Sequence, residues 1–86
     1  MLTSDQMKAI RNILREHGRL APVVDTLNDQ SDLFEAGLTS HASVNLMLAL
    51  EDHFQIEFPE RMLQRRSFAS IAAIRSCLEE LLGATA

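Results

Sequence analysis

Apolar residues recur at helical spacing in three stretches of this chain, and nowhere do they alternate with polar ones as in a half-buried strand. In the first stretch Met7, Ile10 and Leu14 follow at intervals of three and four, behind Thr3 or Ser4 as cap, with Gln6 placed to complete a capping box with Thr3. That helix is expected to end near His17 and Gly18. The second stretch runs from about Ser40 to Phe54, with Val44, Met47, Leu48 and Phe54 on one stripe and Leu46 and Leu50 widening it. So wide an apolar surface predicts a helix that packs on several neighbours at the centre of a bundle, with part of it open to a partner. In the third stretch Phe68, Ile71, Ile74, Cys77 or Leu78, and Leu81 recur behind Ser67 as cap. Gly83 is its expected stop, and residues 83–86 are expected to fray.

The connections read differently. Between the first two helices Leu20, Pro22, Val23, Val24 and Leu27 lead into SDLFEAGLTS, a long loop whose isolated apolar residues act as anchors over a core and which Gly37 closes. After Phe54, Ile56 and Phe58 lead to Pro59, which suits the start of a one- or two-turn helix from Glu60 to Gln64. The expected architecture is all-α: a four-helix bundle of three longer helices and a short third one, in a single domain over residues 1–86.

At 86 residues the chain has room for one small core and not two. Its lone cysteine cannot form an internal disulfide, and its start lacks the pattern of a signal peptide, so a reducing cytoplasm is expected. No apolar run reaches the roughly 20 residues of a membrane span. The formal charge of −4 is unevenly spread. All eight basic residues lie outside the segment from Leu20 to Glu60, which holds Asp25, Asp29, Asp32, Glu35, Glu51, Asp52, Glu57 and Glu60, a block of −8. Such a block is either a set of solvated carboxylates or a face that attracts basic partners. It argues against nucleic acid, because the helix over 40–54 contains no Lys or Arg.

Catalytic and metal chemistry find little support. Ser40 and His41 are neighbours, and adjacent helical residues point about 100° apart, so they do not form a nucleophile and base. Cys77 falls on an apolar stripe, where an inert thiol is expected. The three histidines lack ligand spacing, and Asp29, Asp32 and Glu35 do not make a calcium loop, so no metal site is expected. Arg61, Arg65 and Arg66 read as a solvated basic face. Ser40 stands apart by position, at the junction of an acidic loop and a strongly apolar helix. It is either a plain N-cap, a role Thr39 could also fill, or a site where the helix N-terminus favours an attached phosphate.

The stretch SDLFEAGLTSHASVNLMLALEDHFQIEFPE resembles acyl and peptidyl carrier proteins. The family's loop has the form D-x-L-x-x-x-G-x-x-S, and the resemblance rests on the corresponding Leu33, Gly37, Leu38 and Ser40, followed by Val44, Leu48, Ala49, Leu50, Glu51, Phe54, Ile56 and Pro59. It implies that Ser40 carries 4′-phosphopantetheine, transferred from coenzyme A by a magnesium-dependent phosphopantetheinyl transferase, and that the arm's thiol holds cargo as a thioester. It also implies a protein without an active site of its own. Val44 and Leu48 correspond to the family's apolar docking positions and Glu51 to an ionic contact, with core packing as the alternative for the two apolar residues.

Thr39 stands where fatty-acid carriers commonly have aspartate, and His41 where they commonly have leucine. Ala42 and Asn45 replace residues that are often acidic there. These departures point to a specialised partner and give Thr39 and His41 a place in recognition. The short chain also resembles stand-alone aminoacyl carrier proteins, which are charged by ligases resembling truncated aminoacyl-tRNA synthetases and pass the amino acid to a downstream acceptor enzyme, and an amino acid is the first-ranked cargo. Acyl or peptidyl carriers of lipid, polyketide or nonribosomal peptide pathways are the alternatives, and an unmodified helical adaptor is the alternative of another class. A monomer is expected.

Overall fold

Helix α1 (Ser4–Glu16) begins where its cap demands. The Gln6 N–H donates to Thr3 Oγ1 at 3.1 Å, and the Thr3 N–H donates to Gln6 Oε1 at 2.8 Å, the reciprocal box read in the sequence. The structure, a computed structural model, describes residues 2–84. Helix α1 is followed by a 3₁₀ turn (Val24–Thr26), a short helix α2 (Leu33–Ala36), the long helix α3 (Ser40–Phe54), two further 3₁₀ turns (Glu60–Met62 and Arg65–Phe68) and helix α4 (Ile71–Ala84). No strand occurs among the described residues.

The core gathers Ile10 and Leu14 of α1, Leu46 and Leu50 of α3, and Ile71, Ile74 and Leu78 of α4, with Leu20, Val24, Leu33 and Leu38 inserted from the long connection. That connection is anchored as its isolated apolar residues predict, and Arg11 adds a polar clamp. Its guanidinium donates to the carbonyls of Val24 and Leu27, each at 3.1 Å, and to Asp29 Oδ1 at 3.3 Å. Asp29 also faces Arg75 at 3.6 Å, and its carbonyl accepts from the Ala72 N–H at 2.9 Å, so one residue ties the loop to both α1 and α4. Replacing Arg11 by Met removes donors from two loop carbonyls. The site is about one-third exposed, so water moderates the loss, and urea denaturation is expected to show a decrease of roughly 1–2 kcal/mol. An unchanged midpoint would show that the loop is held by its apolar anchors alone.

Four local expectations change. The long connection contains α2, capped by Asp32, whose Oδ1 accepts from the Phe34 and Glu35 N–H groups. Its end at Gly37 has φ of 127°, a conformation open to glycine and strained for other residues. The helix expected from Glu60 to Gln64 is instead one 3₁₀ turn followed by a second. Met62 and Phe68 are both buried, yet on a continuous α-helix positions six apart point about 120° away from each other, so the chain breaks to deliver both. Phe68 meets Phe58 edge-on at 5.5 Å. With Phe68 fixed in that turn, the cap of the last helix moves from Ser67 to Ser70, whose Oγ accepts from the Ala73 N–H at 3.0 Å. Finally, α4 runs through Gly83 to Ala84, so Gly83 is not the stop. Of the tail expected to fray over residues 83–86, residues 83 and 84 are helical, and residues 85 and 86 lie outside the described residues.

The head of helix α3 and its groove

Helix α3 is apolar over most of its circumference, and its neighbours select which face is buried. The buried row is Ala42, Leu46 and Leu50, at intervals of four. The stripe that periodicity put forward is the outer one: Val44 and Leu48 are 52% and 53% exposed, and Met47 is half-buried. Core packing is therefore not what Val44 and Leu48 do. They form an apolar ridge one helical turn apart, on a surface where large apolar side chains are otherwise mostly covered.

At the head of α3 the two hydroxyls divide their tasks. Thr39 is the cap, its Oγ1 accepting from the Ala42 N–H at 3.0 Å. Ser40, the first helical residue, is exposed, and its carbonyl accepts from the Ser43 hydroxyl at 2.7 Å. The cap role left open between Thr39 and Ser40 thus falls to Thr39, and the Ser40 hydroxyl faces solvent beside first-turn N–H groups that lack intrahelical partners. His41 is exposed next to it.

Ser40 also lines a groove of about 340 Å³, together with the apolar side chains of Phe34, Val44, Met47, Leu63 and Phe68. Arg65 borders it, its guanidinium 3.9 Å from the centre of the Phe34 ring. The basic trio is thus not uniformly solvated: Arg61 pairs with Glu80 at 3.0 Å, Arg65 stacks on Phe34, and Arg66 is exposed. Periodicity gave no sign of the Arg65 contact, because the two residues meet only after both 3₁₀ turns have formed.

The acidic block resolves into two sets. Asp25 pairs with Arg15 at 2.7 Å, Asp29 with Arg11 and Arg75, Asp32 caps α2, and Glu51 Oε2 accepts from the Phe58 N–H at 2.8 Å. Glu35, Asp52, Glu57 and Glu60 are exposed and enter no ion pair among the described residues. Half of the block is internal scaffolding. Cys77 is half-buried, and burial pushes its thiol pKa up against the opposing hydrogen bond from Ser67, which suits an unreactive side chain. No cluster of three potential metal ligands occurs among the described residues, and no helix is long and apolar enough to cross a membrane.

A small helical module whose exposed serine hydroxyl heads a helix and opens onto a shallow groove has the build of a carrier for a covalently attached arm. A model of the family described as "Phosphopantetheine attachment site" matches residues 8–74. An aminoacyl carrier protein of Agrobacterium fabrum is 52% identical over 73 residues, covering 85% of this chain and 88% of that protein. Aminoacyl carrier protein 1 of Bradyrhizobium diazoefficiens is 32% identical over 81 residues, covering 93% and 86%. In structure, the chain is similar to the carrier protein from Agrobacterium tumefaciens crystallised with an engineered Bradyrhizobium japonicum glycine:[carrier protein] ligase and AMP. That match has a TM-score of 0.81 and 51% identity, over 85% of this chain and 97% of the other. The chain belongs to the phosphopantetheine-binding carrier proteins and, among them, to the aminoacyl carrier proteins. The family is non-catalytic, and the group it carries is covalent 4′-phosphopantetheine. The head of α3 fits that group: it offers an uncommitted hydroxyl, a helix N-terminus and one arginine within reach of the same groove.

Proposed function

We propose that Ser40 is the attachment point, loaded by a phosphopantetheinyl transferase from coenzyme A with magnesium, and that residues 1–86 act as one carrier domain. The arm's thiol holds an amino acid as a thioester, delivered by an activating ligase of the kind crystallised with the Agrobacterium relative, and a downstream acceptor enzyme takes it off. The observation that carries this reading is the division of labour at the head of α3. Thr39 caps the helix, so the Ser40 hydroxyl is left exposed and uncommitted.

Partner enzymes dock on the outer ridge of α3 through Val44 and Leu48, with Thr39 and His41 flanking the attachment point. Glu51 contributes through the oxygen that the Phe58 N–H does not occupy. The exposed carboxylates Glu35, Asp52, Glu57 and Glu60 steer basic surfaces toward this end of the molecule. The carrier works in the cytoplasm as a monomer between encounters.

Intact-mass measurement tests the reading. Incubation with a broad-specificity transferase, magnesium and coenzyme A is expected to add a single phosphopantetheine to the apo-protein, and native material is expected to carry an aminoacyl thioester. A fatty or polyketide acyl mass would assign the carrier to another pathway. Persistent unmodified mass would favour an adaptor that binds partners without an arm.

A further inference from the structure

The outer ridge of α3 runs between two grooves. The groove at Ser40 takes Ser43, Val44 and Met47 from the helix, and a second one of about 400 Å³ takes Asn45, Leu48 and Ala49, together with Glu16, His17 and Arg19. At 100° per residue these two sets of α3 positions fall on opposite sides of the line through Val44 and Leu48. One arginine borders each groove, Arg65 the first and Arg19 the second. Both are exposed and enter no ion pair among the described residues, whereas Arg11, Arg15, Arg61 and Arg75 are matched with carboxylates. Lys8 and Arg66 are likewise exposed and unpaired among the described residues, but they border neither groove.

The backbone sets Arg19 further apart. Its φ is 59°, in the left-handed region that glycine adopts freely and other residues adopt under strain. The turn needs that conformation to send Leu20 into the core, where the Leu20 N–H donates to the Leu14 carbonyl at 3.3 Å. The neighbouring glycine answers a different need, since a Cβ on Gly18 would lie 2.8 Å from the Leu14 carbonyl oxygen. An arginine thus stands where glycine would fit without strain, and its charge is used by no other described residue. Arg65 is poised differently: its guanidinium lies over the Phe34 ring, which orients the planar cation and leaves its N–H donors free.

We propose that the ridge seats in an apolar socket of the charging ligase that is rimmed by carboxylates on both sides, one facing Arg19 and the other facing Arg65. This rests on the ridge being the ligase's docking surface, as proposed above, and fixes the sign of the charge that the ligase presents there. That sign is opposite to the one the net charge of −4 suggests. Glu35, Asp52, Glu57 and Glu60 border neither groove, and Asp52 follows Leu48 by one turn, at the foot of the ridge. Charges away from the contact act through solvent and are screened beyond about 8 Å at physiological salt. Those at the rim meet the partner directly and select it by complementarity. A guanidinium pairs with a carboxylate through two parallel N–H donors, so each arginine also helps to fix the angle at which the ligase sits. Glu16 shares the second groove with Arg19, so reversing the charge of Arg19 leaves that groove wholly acidic.

The test titrates an amino acid:[carrier protein] ligase with arm-bearing protein in a calorimeter and measures kcat/KM for charging, in wild type and in the R19E, R65E and R66E variants. R19E and R65E are each expected to weaken binding and lower kcat/KM by about 5- to 20-fold, because reversal sets like charges against each other. The loss is expected in KM, with kcat nearly unchanged. R19Q and R65Q are expected to lose about two- to fivefold, the value an exposed ion pair supports, and they decide the matter should a glutamate variant fold poorly. R66E is expected to stay within about twofold of wild type, as its side chain borders neither groove. R19E and R65E that bind and are charged as well as wild type, or better, would overturn the acidic rim. Leu48→Ala separates this result from failure of the docking surface itself: impaired Leu48→Ala beside unimpaired R19E and R65E leaves the ridge as the interface and removes only the rim. Arm-bearing wild type that the ligase neither binds nor charges overturns the proposed function and this rim together.

Discussion

Ser40→Ala is expected to abolish loading by a phosphopantetheinyl transferase, and with it every downstream charging step, while leaving the thermal midpoint nearly unchanged. Loss of function is expected to be complete, because no other group stands at the head of α3 in the same position. The unchanged stability follows from the cap. Thr39 Oγ1 satisfies the Ala42 N–H, and the contact recorded at Ser40 uses its carbonyl, which alanine retains. An exposed substitution of this kind stays within about 0.5 kcal/mol. Thr39→Ala makes the opposite pair of predictions. Removing the cap is expected to cost about 1 kcal/mol, equivalent to roughly 4–8 °C in a domain of this size, and prolonged incubation is expected still to load it fully. Intact mass and calorimetry on the two variants check both. A Ser40→Ala protein that still gains the phosphopantetheine mass would place the arm elsewhere.

The second large contrast lies on α3, between two leucines separated by one residue. Leu46 is fully buried and Leu48 is half exposed. Leu46→Ala is expected to lose about 2–5 kcal/mol, a large share of the ~5–15 kcal/mol that holds a small domain together. Urea denaturation reads that loss directly. Leu48→Ala leaves no internal cavity and is expected to melt like wild type. If the outer ridge is the docking surface, Leu48→Ala instead lowers kcat/KM for charging by an amino acid:[carrier protein] ligase by about 10- to 100-fold, as truncating an interface anchor does. Val44→Ala is expected to act in the same direction. Charging of Leu48→Ala at the wild-type rate would remove the ridge from the interface. Because loading precedes charging, both variants are compared as protein already carrying its arm.

The acidic block shows how composition and structure divide the account. The sequence places eight carboxylates and no base between Leu20 and Glu60, and a partner-seeking face is a natural reading. Once folded, Asp25, Asp29, Asp32 and Glu51 face arginines or backbone N–H groups within the molecule. Those interactions join residues as far apart as Arg75 and Asp29, which no local pattern relates. The remainder, Glu35, Asp52, Glu57 and Glu60, together with the Glu51 oxygen that the Phe58 N–H does not occupy, is left to act on a partner.

By itself the sequence determined the helices over 4–16 and 40–54 to within a residue or two, because caps and apolar spacing are local properties of the chain. It also determined the family resemblance and the serine on which that resemblance turns. Tertiary structure decided what local patterns cannot. Helix α3 is apolar on nearly every side, so its inward face, the row of Ala42, Leu46 and Leu50, was selected by the elements packed against it, leaving Val44 and Leu48 outside. Ser67 and Ser70 both precede helical patterns. The burial of Phe68 against Phe58 chose the later one as cap. The stacking of Arg65 on Phe34 likewise depends on two 3₁₀ turns that exist because Met62 and Phe68 must reach one core from positions a continuous helix would point apart. Periodicity reports that a residue is apolar and where it lies around its own axis. Which side of that axis becomes the interior depends on neighbours distant in the chain.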